Sequence, residues 1–166
     1  MARLSLADAG VPASFSFEDM LRYHGPGSPG GVAHAFKLLE RALPLLAPNA
    51  PAERREIVVR TAFGGPGARD GIELVTRAVT EGRYTLDPAL ARPERGRTLE
   101  RFVFQLAYRE RAVTLVAREG SVPAELIALA RTDDPTDEQR VRLAEVKQEM
   151  AEHVMASAAA DVYDQA

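Results

Sequence analysis

A single α+β domain, an antiparallel sheet packed with helices and closed by a long C-terminal helix, is what this sequence predicts. Three observations carry that prediction. The β-branched run at 56–63, "EIVVRTAF", suits a buried strand, and "RFVFQLAYRERAVTLVARE" holds two strand-like runs about a charged turn at Arg109–Arg111. Other segments place apolar residues at helical spacing, ending in a charged helix from about Thr136 to Ser157. A length of 166 residues, with 46% hydrophobic and 27% charged side chains, suits one domain with a real core.

Residues 1–14 read as an irregular N-terminal arm, and the domain as 15–166. "SFEDMLRYHG" predicts a short helix with Ser16 as N-cap, Glu18 and Asp19 in the first turn, and Gly25 as its stop. The next helix is expected from Gly31 to Leu43, burying Val32, Phe36, Leu39 and Leu43, with Pro44, Pro48 and Pro51 closing it. After the 56–63 strand, "RDGIELVTRAVTEG" predicts a helix with Ile72, Val75 and Val79 on one face. Glu73 and Arg77 pair on another, and Gly82 is the expected C′ residue. Residues 83–98 read as loop with a short strand at Arg83–Leu86. A hairpin follows, then a short helix from Val122 to about Arg131. Asp134-Pro135-Thr136-Asp137 starts the last helix. Glu145, Glu149 and Glu152 form its wet face, and His153 belongs to the surface.

Composition excludes several classes. A formal net charge of −3 offers no basic field for nucleic acid. No apolar run approaches the roughly 20 residues of a membrane helix, and the N-terminal stretch lacks the apolar segment of a signal peptide. The absence of cysteine rules out disulfides, iron–sulfur clusters and thiolate zinc sites. A cytoplasmic protein is the default expectation.

Two glycine-rich loops stand out. In "YHGPGSPGGVAHAFKLLERA", six of the seven positions from Gly25 to Gly31 are Gly or Pro, and a helix begins at once. "GGPGARDG" likewise joins a strand to a helix. Free N–H groups at helix N-termini favour anions, although neither loop has the GxxxxGK[ST] or GxGxxG pattern of a nucleotide site. Gly-Pro-Gly is more often a tight turn than a cradle. His34 reads as a boundary residue. A metal would have to use His24, His34 and carboxylates such as Asp70 or Glu73, and no HExxH spacing exists.

His24-Gly25-Pro26-Gly27-Ser28-Pro29-Gly30, followed by a helix, resembles the His-Gly-His-x-Cys-Pro-Gly core of the formylmethanofuran dehydrogenase FmdE family. "DGIELVTRAVTEGRYT" is similar to that family's second segment, with Asp70, Ile72, Thr76, Thr80 and Gly82 in register. The family's second histidine falls on Pro26, its first cysteine on Ser28 and its second cysteine near Gly67. The resemblance therefore implies the family's core fold with a degenerate metal site, because serine is a poor ligand where thiolate is a strong one. It also implies a homodimer. Val141, Leu143, Val146, Met150, Val154 and Met155 on the last helix offer an apolar surface for it.

The functional expectation is a small-ligand-binding protein whose pocket lies where the two loops meet. Tyr23, His24, Ser28, Gly65, Gly67, Arg69 and Asp70 would line it, without metal or cofactor. The partner would be a small anionic or polar metabolite. Gly65 or Gly67 is expected at positive φ, His24 beside Ser28, and Asp70 orienting a loop N–H or His24. One alternative is a metal-independent enzyme with His24 as general base on an anionic substrate. Another is an accessory or scaffold subunit.

Overall fold

The computed structural model describes residues 2–166. Strands β3 (Ile57–Thr61), β4 (Tyr84–Leu86), β5 (Val103–Tyr108), β6 (Arg111–Ala117) and β7 (Tyr163–Gln165) form one sheet in the order β4-β3-β5-β6-β7. The β5–β6 hairpin turns at Arg109–Glu110, with Tyr108 opposite Arg111. All pairs are antiparallel except β3–β4, the parallel edge. Ile57, Val59 and Thr61 are buried while Val58 and Arg60 are exposed. That alternation marks a sheet with one packed face and one open face.

Of helices α1 (Phe17–His24), α2 (Pro29–Leu46), α3 (Pro66–Thr76), α4 (Ala124–Ala130), α5 (Asp137–Ala156) and α6 (Ala159–Val162), α2 packs on the sheet against β5, β6 and β7, with α1, α3, α5 and α6 around it and α4 on α5. The expected Ser16 cap is present. Ser16 and Asp19 make a reciprocal capping box on α1, and Thr136 and Gln139 make one on α5. Helix α2 is the centre of the structure: every residue from Val32 to Leu39 is buried, against α1, α3, α5, α6 and the sheet. A helix apolar nearly all round belongs inside, as here. Its one buried cation, Lys37, is paired with Glu40 at 2.9 Å.

The structure corrects several expectations. Residues 3–16 are not an irregular arm but a hairpin of β1 (Arg3–Asp8) and β2 (Val11–Ser16), with Leu4 and Leu6 in the core. Its two-residue turn, Ala9-Gly10, has φ of 51° and 80°, the positive pair that a hairpin's right-handed twist selects. Helix α2 does not stop before Pro44 but runs to Leu46. A proline in the last turn forfeits one amide bond, and the helix absorbs that loss because Ala42 and Leu46 are buried on either side.

Helix α3 ends at Thr76, not near Gly82. Arg77 takes the left-handed cap at φ 61°. Guanidiniums supply the reason: Arg54 donates to the carbonyls of Leu74 and Val75, and Arg83 to that of Thr76. Glu73, buried rather than available to a metal, accepts from the amides of Val79 and Thr80 and from the Thr80 hydroxyl. Val146, Met150 and Val154, expected on a dimer face, are buried within the chain, and only Val141 of that set is well exposed.

His34 is no boundary residue. It is fully buried, with Nδ1 2.8 Å from the Tyr163 hydroxyl and Nε2 2.9 Å from the Ser121 carbonyl. Burial lowers its pKa to about 4, and burial raises that of Tyr163. Among the described residues no helix is long and apolar enough to cross a membrane.

Candidate functional site

His24 closes α1, where a cationic or polarisable side chain suits the negative end of the helix dipole, and Gly25 breaks the helix at φ 88°. Asp70 lies in the second turn of α3. Its Oδ2 is 2.8 Å from His24 Nδ1, in a pair that leaves the imidazole mostly buried and the carboxylate about one-third exposed. An acceptor-only carboxylate requires the proton on Nδ1, so Nε2 is the acceptor of the neutral ring. Arg69 lies 3.9 Å from the other Asp70 oxygen. Burial raises the Tyr84 phenol, and the Arg69 charge works against that shift. Tyr23 is exposed.

The two glycine-rich loops do meet, but by backbone contact. A methyl group at Gly67 would sit 2.6 Å from the Ser28 carbonyl oxygen, and one at Gly31 would sit 3.2 Å from the Ala68 nitrogen. One turn on, a methyl at Gly71 would press to 2.7 Å on Ala35 Cβ. On the other side of α2, Gly30 admits the side chain of Met150 from α5. The first turn of α2 is thus held between α3 and α5, and on the α3 side Gly67 allows a backbone approach that a side chain would block. This corrects the reading of Gly65 and Gly67: Gly65 has φ −65°, and neither is among the positive-φ glycines. Close approach, not left-handed backbone, is what Gly67 provides.

Beside this contact lies an apolar cleft of about 210 Å³. Of the candidate site residues, Ser28, Gly65 and Gly67 line it; Tyr23, His24, Arg69 and Asp70 do not. The expected single site is therefore two places, the His24–Asp70 pair and the cleft. Sequence reasoning missed the cleft's other components. Phe63 and Phe102 stack with ring centroids 4.2 Å apart, Leu126 and Ile127 come from α4, and Lys147 and Met150 from α5. Phe63, immediately before the second glycine-rich loop, was the available signal. A larger, more open groove of about 560 Å³ lies between α1 and α5, with Arg22 and Glu152 among its lining.

Metal chemistry does not fit these residues. Among the described residues no group of three or more His, Asp or Glu side chains could hold a metal ion. His34 has both ring nitrogens engaged at the core, and Glu73 closes a turn. No protein-family model matches the sequence, and no curated protein matches it.

Proposed function

We propose that this chain is a small-ligand-binding protein, as its resemblance to the FmdE family implies, acting without that family's metal chemistry. The observation that supports the reading is the cleft beside the two glycine-rich loops. It is concave, apolar and bounded by four different helices and the Phe63–Phe102 pair. Such enclosed apolar space with few polar groups is where small molecules bind. A thermal-shift screen of small aromatic and aliphatic compounds tests this, because a ligand of the native state raises its stability. Ala130, which lines the cleft, is the place to block it: Ala130→Trp should abolish the shifts seen with wild type. Shifts that survive Ala130→Trp would place binding elsewhere. A homodimer would use what remains of the α5 apolar side, Val141 with Leu143 and Met155, and sedimentation equilibrium tests it.

A second reading rests on the 2.8 Å His24–Asp70 bond. A carboxylate that fixes the Nδ1–H tautomer leaves Nε2 as a general base, the arrangement a metal-independent enzyme would use. Comparing wild type with His24→Gln against activated esters near pH 8 tests it; equal rates sink it.

A further inference from the structure

Resting on the ligand-binding reading above, we propose that the cleft takes a monocyclic aryl carboxylate, with the ring against Phe63 and Phe102 and the carboxylate on the Lys147 ammonium. Size limits the body of the ligand. An apolar cavity of about 150 Å³ holds benzene, so about 210 Å³ accommodates one ring with a short substituent. The stacked pair of phenylalanines favours a flat partner over a branched one.

Charge limits the other end. Among the described residues, Lys147 is the only ionisable side chain lining the cleft. Its Nζ donates to the Gly27 carbonyl at 3.2 Å, a neutral acceptor for one of three N–H donors. The arginines of the same helix are engaged with carboxylates: Arg140 with Asp137, and Arg142 with Glu125, Glu145 and Glu149. The chain's one other lysine, Lys37, is paired with Glu40. Among the described residues Lys147 is thus the lysine without a carboxylate, at an apolar cleft whose described lining supplies none. A ligand carboxylate would complete a charge-assisted hydrogen bond there, stronger than the neutral one it joins.

The experiment titrates the intact chain at pH 7 with phenylacetate and with phenylacetamide, which has the same ring and no charge. Phenylacetate should bind at least about tenfold more tightly, a difference of about 1.4 kcal/mol. Lys147→Gln, which keeps a donor for the Gly27 carbonyl, should erase that preference, and Lys147→Arg should keep it. Equal affinity of wild type for the two probes overturns the carboxylate assignment and leaves the cleft as a binding site. Failure of both probes, together with failure of the wider screen, overturns the ligand-binding reading itself.

Discussion

His34 on α2 and Tyr163 on β7 are joined by a 2.8 Å hydrogen bond across 129 positions of sequence. The Ser121 carbonyl on Nε2 can only accept, so Nε2 carries the proton and Nδ1 accepts from the Tyr163 hydroxyl. A neutral ring satisfies all three groups. A protonated one would donate from Nδ1 to the Tyr163 oxygen and leave the tyrosine's O–H without its acceptor inside the core.

Acid should therefore weaken the fold in a defined window. Above about pH 6.5 His34 is neutral in both folded and unfolded chains. Below it the unfolded chain binds a proton that the folded one refuses, down to its folded pKa of about 4. Stability falls through that window by up to about 1.4 kcal/mol per pH unit. Urea midpoints at pH 7 and pH 5 should show the fall in wild type and much less of it in His34→Gln. A flat wild-type midpoint would count against the assignment.

Tyr163→Phe removes the donor and leaves His34 Nδ1 buried without a partner. The loss should be about 1–3 kcal/mol in equilibrium unfolding. An unchanged midpoint would mean that another group replaces the hydroxyl.

Gly67→Ala and Gly64→Ala form a matched pair. A methyl at Gly67 meets the Ser28 carbonyl at 2.6 Å, where backbone would have to move, whereas one at Gly64 meets only Leu86, at 3.7 Å. The first should destabilise by about 1–3 kcal/mol and the second should be near neutral. Thermal unfolding of both variants checks the contrast.

Asp70→Asn should cost about 0.5–1.5 kcal/mol, as expected for one part-exposed hydrogen bond. Cleft binding should be unaffected, because Asp70 does not line the cleft. This reverses what the sequence suggests, where Asp70 and the loops belong to one pocket. Loss of probe binding in Asp70→Asn at unchanged stability would reunite them.

What could be read from the residues divides along the range of the interactions. The cap at Ser16, the start of α5 at Thr136, the Arg109–Glu110 hairpin and the β3 strand follow from local chemistry and were legible. The β1–β2 hairpin escaped because Ala9-Gly10 is a weaker turn signal than Asn-Gly. Strand β7 has three residues, too few for an alternating pattern to register. His34 escaped for a different reason: a lone histidine carries no local trace of partners 87 and 129 positions away. Of the site, the meeting of the two loops was legible from their glycines. Which space they border was not, because Phe102, the α4 residues and Lys147 arrive from distant segments.

The long reach from α2 to β7 also sets a clock. At roughly 5–20 residues per second, a ribosome needs about 6–26 s to add the 129 residues between His34 and Tyr163. Throughout that interval the nascent chain holds a helix made to be enclosed on nearly every side, with its C-terminal neighbours not yet synthesised. Until α5, α6 and β7 are made, the side of α2 that they cover has no partner in the chain.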